Sequence, residues 1–387
     1  MKLTALAAHT PQAVRAALAA RGWEGEPAWF AATGVQSVTI LIDDVGESER
    51  EALVHWGARA GADVLTGPGW ALVSTAASRL AVLARPDRAP ADLAGVTPEI
   101  ARFLLTHADP RRVWTVAGGE IPLDEPVVMG IINVTPDSFS DGGRHAGTSA
   151  AVAHAERLAG DGARILDVGG ESTRPGAAAV PPAKEAARVV PVIREIVQRR
   201  LGVVSVDTRK AEVARAALDA GAAVVNDVSG LTFDPALAPL VAGRGAGLVV
   251  MHTRGTPDTM DGLAAYGHPA AEVADELRAR VGTALGADVP AERIAVDPGF
   301  GFAKDAEQNL RLLDELATVS ALGYPVVVGP SRKRFLGAVT GRPVEDRDRA
   351  TAVACALAWE RGARIFRVHD ARLAVEALRL AARVRPA

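Results

Sequence analysis

SVDTRKAEVARAALDAGAAVVNDVSG, residues 205–230, contains one full structural period of the chain. Its opening completes the apolar run GVVSVD (202–207), and KAEVARAALDAG (210–221) follows with amphipathic helical spacing. Gly221 stands where a helix C-cap glycine belongs, directly before the next apolar run, AAVVNDV (222–228). The runs are continuously apolar rather than alternating, which predicts parallel strands covered by helices on their outer side.

Outward from this unit the pattern repeats. VVMGIINV (127–134) and ARILDVG (163–169) precede it; GLVVMH (247–252), RIAVDP (293–298), YPVVVGP (324–330) and ARIFRVH (363–369) follow, making eight runs. Helical stretches such as TSAAVAHAERLAGDG (148–162), AAEVADELRARVGTALGA (270–287) and RATAVACALAWERG (349–362) separate them, with Gly162 and Gly362 again at the exits. Eight strand–helix units in about 260 residues favour a closed (β/α)8 barrel over an open doubly wound sheet. The barrel is expected over residues 126–387.

At 387 residues the chain exceeds one barrel of about 250. Five of the six tryptophans (Trp23, Trp29, Trp56, Trp70, Trp114) precede residue 125, which gives the first segment its own core chemistry. Residues 1–120 are expected to form a smaller α/β accessory domain. SVTILID (37–43) and GWALVST (69–75) read as strands, and SEREALVHWGARAG (48–61) as a helix entered through a serine cap. Residues 84–96 read as a connection, and TPEIARFLLTHA (97–108) as a further helix. The expected role of this domain is docking, on the barrel or on a partner.

Apolar residues make up 49% and charged residues 23%, as in a globular protein with a large core. A net charge of −3 gives no electrostatic case for nucleic acid or an anionic membrane. Cys355 is the single cysteine, which excludes an internal disulfide framework and a cysteine zinc site and fits a reducing, cytoplasmic compartment. The start MKLTALAAHTPQ has an apolar run too short for a signal peptide, and no stretch is long enough to span a membrane.

Polar residues mark the C-terminal edges of the runs: Asn133, Asp167 to Glu171, Asp207, Asn226 with Asp227, His252, Asp297, Ser331 to Lys333, and Arg367 with His369. A barrel enzyme builds its active site at that face. Capping alone would explain one or two such residues, not all of them. Asp207, Asn226 and Asp297 suit a flat heterocycle with adjacent N–H donors, because a carboxylate accepts two parallel bonds and an amide reads a mixed edge. Lys333 offers a cation to a ring carbonyl or nitrogen. Arg367 and His369, two apart, face the same way and suit an oxyanion, with Asn133 beside them around the closed barrel, a setting for an anion with Mg²⁺. Plainer readings exist: Asp207 as the N-cap of the next helix, and His252 as a satisfied strand-end histidine. No dinucleotide or P-loop fingerprint stands in the required context, and no histidine pair has zinc spacing.

At these residues the chain resembles dihydropteroate synthases over about 126–370. The resemblance is carried by MGIINVTPDSFSDGG (129–143), GARILDVGGESTRPG (162–176), residues 205–230, MH (251–252), DPGFGF (297–302), SRK (331–333) and RVHD (367–370). It implies condensation of 6-hydroxymethyl-7,8-dihydropterin diphosphate with 4-aminobenzoate, with pyrophosphate leaving before the amine attacks. It implies that Asp207, Asn226, Asp297 and Lys333 hold the pterin and that Met251 lines its pocket. Asn133, as a Mg²⁺ ligand, would bind the diphosphate with Arg174, Arg367 and His369, and Arg367 would cover a pterin face. Thr173, Pro175, Phe302, Ser138 and Phe139 would shape the aminobenzoate site. Asp207, Lys333, Arg367 and His369 would carry the catalysis, loops 134–148 and 171–183 would close over it, and a homodimer is expected. Ala303, Pro330 and Arg254 depart from the family pattern beside ligand positions without replacing one. A pterin-dependent methyltransferase would share the Asp/Asn set but need no diphosphate clamp; a non-catalytic pterin-binding protein would not need the retained charges.

Overall fold

A computed structural model describes residues 37–76, 90–98, 100, 113–134, 143–172, 179–256 and 258–384. The chain divides into two compact units, Met1–Asp109 and Pro110–Ala387.

In the first unit, strands β1 (Ser37–Asp43), β2 (Asp63–Gly67) and β3 (Trp70–Ala76) form an antiparallel sheet in the order β1-β3-β2. Helix α1 (Glu47–Ala60) begins one residue ahead of expectation. Its cap is Gly46 rather than Ser48, because the Glu49 carboxylate reaches back to accept the Gly46 N–H at 2.7 Å. Ile40, Leu53, Ala71, Val73, Leu93 and Ile100 make a small separate core. Strand β2 escapes the sequence because none of its five residues is fully buried and it shows no apolar alternation. Trp23, Trp29 and most of the expected helix over 97–108 lie outside the described residues.

The second unit opens with a hairpin, β4 (Val113–Val116) and β5 (Gly119–Pro122), turned at Gly118 with φ +78°. Sequence position groups Trp114 with the first segment; the structure buries it completely in the barrel unit. Its indole Nε1 donates to the Arg293 carbonyl at 2.9 Å, and Ala117 N donates to Ala223 O at 3.2 Å. The break between units therefore falls about ten residues before 120, since the hairpin packs into the barrel.

Eight parallel strands then close in sequence order: β6 (Val127–Asn133), β7 (Ile165–Gly169), β8 (Val203–Asp207), β9 (Val224–Asp227), β10 (Gly247–Met251), β11 (Ile294–Asp297), β12 (Val326–Val328) and β13 (Ala363–Val368), which returns to β6. Helices over Gly143–Gly160, Pro182–Gln198, Ala211–Asp219, Leu237–Arg244, Pro269–Gly286, Ala306–Asp314, Asp348–Glu360 and Ala371–Val384 supply the outer layer. Gly162, Gly221 and Gly362 adopt φ near +100° at the helix exits, a conformation glycine enters freely.

Period two sorts each strand's side chains. Met129, Ile165, Val203, Val224, Val249, Ala295, Val327 and Ile365 turn inward and pack on Trp114, Val116, Ile121 and Leu123, so the N-terminal end of the barrel is filled with apolar side chains. Two residues further along, the inward columns reach Ile131, Asp167, Ser205, Asn226, Met251, Asp297, Gly329 and Arg367. Above a hydrophobic floor the barrel becomes polar in a single step.

Candidate active site

The site is built on that step. Asp167 on β7 is fully buried, and its Oδ2 accepts from Arg367 Nε at 2.6 Å and from Asn226 Nδ2 at 3.1 Å. Arg367 Nη2 donates to Asp207 Oδ2 at 2.7 Å. One guanidinium thus ties strands β13, β7 and β8 across the barrel. Burial works against the charge on Arg367, and Asp167 and Asp207 overcome it, holding the group protonated beyond the ordinary arginine range. Burial pushes the Asp207 carboxyl up, against the pull of Arg367 and with the neighbouring Asp167 adding to the rise. Asp207 is no helix cap: the next helix starts at Ala211, whose N–H is taken by Asp234 Oδ2 at 2.8 Å.

Asn226 stands in register with Asp207. Asp227, one residue on, faces the opposite way and accepts from Ser229 and Leu231, which accounts for its burial without a role in the cavity. Met251 and Asp297 are register partners on β10 and β11. Asp297 is 5% exposed and accepts the Gly299 N–H at 2.7 Å. Burial raises its carboxyl to about 6, with the Gly299 N–H, Lys333, Arg367 and Lys304 acting in the other direction.

The turn after Asp297 requires its glycines. Gly299 has φ +69°, and a Cβ there would overlap the His252 carbonyl oxygen. Gly301 has φ +76°, and a Cβ there would meet Lys333 Cδ at 2.8 Å, so the bare backbone gives the lysine stem its channel. Lys333 Nζ then sits 4.0 Å from the centre of the Phe302 ring, a cation–π contact. The SRK turn is anchored from behind: Arg332, at φ +57°, pairs with both oxygens of Asp348 at 2.8 and 2.7 Å. Ser331 Oγ lies 2.9 Å from His369 Nδ1 and accepts the His369 N–H at 3.1 Å.

His252 is fully buried beneath this turn, 3.0 Å from Glu276 through Nε2 and 3.0 Å from Lys304 Nζ through Nδ1. Burial lowers its pKa to about 4 against the pull of Glu276, so the ring is neutral, with Nδ1 accepting from Lys304 and Nε2–H donating to Glu276. It belongs to the support of the turn and not to the cavity. Lys304 also donates to the carbonyls of Gly299 (3.2 Å) and Phe302 (3.0 Å), and burial lowers its pKa to about 7. Arg254, the residue after MHT, stacks on Tyr266 at 3.8 Å and donates to Glu272 and Glu276, closing the far side of the same support.

A second buried network holds the ends of the loop after β7. Lys210 Nζ reaches Glu185 (2.5 Å), Glu171 (3.0 Å) and the Val180 carbonyl (2.7 Å), and Glu171 accepts the Val180 N–H at 2.8 Å. Thr208 Oγ1 donates to Glu185 at 2.7 Å. The sequence signals Asp207 and passes over Thr208, Lys210 and Glu185, because partners so distant along the chain leave no local spacing.

The structure therefore gathers Asp207, Asn226, Met251, Asp297, Phe302, Lys333, Arg367 and His369 at one mouth, with half-buried Asn133 at the end of β6 on the same face. Ser138, Phe139, Thr173, Arg174 and Pro175 lie outside the described residues. Lys304 and Asp348 are the contributors that the sequence did not single out, and Asp167, marked there only as part of a polar strand edge, proves to hold Arg367 and Asn226.

A parallel barrel whose carboxylates, amide and cations converge at its C-terminal mouth is a heterocycle-binding enzyme, and residues 129–369 match the family model for pterin binding enzymes. The chain belongs to that family, and within it to the dihydropteroate synthases. The dihydropteroate synthase of Synechocystis sp. is 46% identical over 244 residues, covering 63% of this chain and 84% of that protein. The Xanthomonas albilineans dihydropteroate synthase solved with 4-aminobenzoic acid superposes with a TM-score of 0.67 at 45% identity, over 71% of this chain and 98% of that one. The same enzyme solved with 7,8-dihydropteroate gives 0.64 at 43% identity, over 70% and 98%.

Proposed function

We propose that the protein condenses 6-hydroxymethyl-7,8-dihydropterin diphosphate with 4-aminobenzoate, yielding 7,8-dihydropteroate and pyrophosphate. The observation that carries this reading is the set of buried Asn226 and Asp297 with part-buried Asp207 beside Lys333, a donor-seeking floor with a cation at its edge. It matches the edge of a pterin, whose adjacent N–H groups pair with carboxylates and whose ring carbonyl takes a lysine. Met251, aligned with Asp297, forms an apolar wall.

The chemistry asks for charge stabilisation more than for a nucleophilic side chain. The methylene carbon–oxygen bond to the diphosphate breaks, the electron-rich ring shares the resulting positive charge, and the amine nitrogen forms the new bond and gives up a proton. Asp207 and Asp297 offset the ring charge from fixed positions, which needs no reorganisation as the bond breaks. His369, Arg367 and Arg174 are assigned to the departing diphosphate. In the free protein two Arg367 nitrogens already serve Asp167 and Asp207, so only its remaining face is open to a ligand. Phe302, with Thr173, Pro175, Ser138 and Phe139, is assigned to the aminobenzoate ring.

Mg²⁺ belongs to this reading through Asn133. No group of three His, Cys, Asp or Glu side chains among the described residues forms a metal cage. A single amide oxygen suits instead a Mg²⁺ that arrives with phosphate oxygens and waters, and there it would withdraw charge from the leaving group. A homodimer is also part of the proposal. Val339, Val353 and Leu357, on the neighbouring helices Arg334–Thr340 and Asp348–Glu360, are 62%, 60% and 39% exposed, an apolar face suited to a second copy. Sedimentation as a single 40.1 kDa species at micromolar concentration would exclude it. A reducing, cytoplasmic setting fits Cys355, which is buried, its thiol pushed up to about 12 by that burial. No described helix is long and apolar enough to cross a membrane.

Pyrophosphate release tests the activity. Release that requires both substrates is expected; none with both saturating refutes the reading.

A further inference from the structure

Asp167 has no assigned part in the reaction, yet two of the residues that have one converge on it. Both bonds fall on a single oxygen: Oδ2 takes Arg367 Nε at 2.6 Å and Asn226 Nδ2 at 3.1 Å, while Oδ1 is buried with no partner among the described residues. A buried carboxylate oxygen without a partner is costly, and its retention points to a use for the group beyond its own satisfaction. The register fixes where Asp167 lies. It is aligned with Ser205, whereas Asn226 is aligned with Asp207 and, through it, with Gly169, one inward step nearer the mouth. Asn226 therefore reaches down to Asp167 with one end of its amide.

The oxygen that already accepts from the Arg367 guanidinium can only accept again, so that end must be the NH2 group, and the amide oxygen must turn away from Asp167 toward the mouth. Nothing among the described residues donates to that oxygen. The opposite amide orientation has almost the same shape and would place a donor where an acceptor now stands. In the cavity, Asp167 is what separates the two.

We propose that Asp167 is a positioning residue that sets the hydrogen-bonding polarity of the pterin pocket. It locks the Asn226 amide with its oxygen toward the ligand and lays the Arg367 guanidinium against Asp207, thereby selecting a ring edge that offers a donor to Asn226. The inference rests on the pterin reading of the site.

The test compares binding of 6-hydroxymethylpterin with binding of its isomer in which the amino and oxo groups are exchanged. Wild-type protein is expected to prefer the pterin by on the order of 100-fold, because the isomer leaves buried polar groups unmatched. In Asp167→Asn the amide is free to turn, and the preference should shrink to about 10-fold or less. The KM for 4-aminobenzoate at saturating pterin diphosphate should stay within about 3-fold. A general loss of structure would weaken both pterins by one factor; that result, or an unchanged preference, overturns the proposal. Should Asp167→Asn fail to fold, Asn226→Ala keeps the Asp167–Arg367 pair and removes the oriented amide. If that protein still prefers the pterin by the wild-type factor, the proposal is overturned as well. Wild-type protein that binds neither compound would refute the pterin reading itself.

Discussion

Asp297 shows how burial tunes a binding group. Its carboxyl sits at about 6 because desolvation disfavours the charge, although a backbone N–H and three cations oppose the rise. On the proposed function, two adjacent pterin N–H groups would pair fully only with the ionised form, so binding would lower this pKa and displace the proton that part of the free protein carries near pH 6. Pterin binding should therefore release protons near pH 6, and affinity should fall about tenfold per pH unit below that value. Calorimetry in two buffers of different ionisation enthalpy measures the release, and buffer-independent heats would contradict it. At this scale the sequence was legible where period two applies. Asn226, Asp297 and Arg367 each stand two residues beyond an inward apolar position, and Asp207 four beyond Val203, so their direction follows from the pleat. What Arg367 touches did not follow, since Asp167 and Asp207 lie 200 and 160 residues away. Asp167 was marked as a polar residue at the edge of its run, but nothing in its spacing pointed to Arg367 and Asn226 as its partners.

Among the elements, the network around Lys210 gives the sharpest prediction. Glu185 is fully buried, and Lys210 is the cation that balances it while also holding Glu171 and the Val180 carbonyl. Lys210→Met leaves a buried, uncompensated carboxylate and should cost about 3–5 kcal/mol of stability. Adding Glu185→Gln should recover a large part of that loss, because the stranded charge is then gone. Denaturant midpoints of the single and double variants decide it; equal midpoints would mean that the pair carries no coupling. The eight strands and their order were evident from apolar runs punctuated by helix-exit glycines. The hairpin Val113–Pro122 was not, because its two strands have only four residues each, and the second buries a single side chain, too little for a period to show.

For the whole molecule, that hairpin decides where the catalytic unit begins. A shortened chain starting at Pro110 keeps Trp114, Val116, Ile121 and Leu123 under the barrel and should retain its kinetics. One starting at Asp124 loses all four; a buried tryptophan alone is worth about 3–5 kcal/mol. It should aggregate or melt far below the longer form, and equal melting temperatures for the two would refute this account of the floor. Composition marked the first segment as distinct through its tryptophans, and Trp114 is where composition misled, since a residue's place in the chain does not determine which core it joins.

A tube stoppered at one end obliges its visitors to queue. On the proposed function, a pterin resting on Asn226 and Asp297 would have to enter before an arylamine settles above it near Phe302, since among the described residues the N-terminal end of the barrel is filled by apolar side chains. Excess 4-aminobenzoate should then slow the enzyme, and more pterin diphosphate should relieve the block. Initial rates indifferent to which partner is in excess would mean that the molecule has a second entrance.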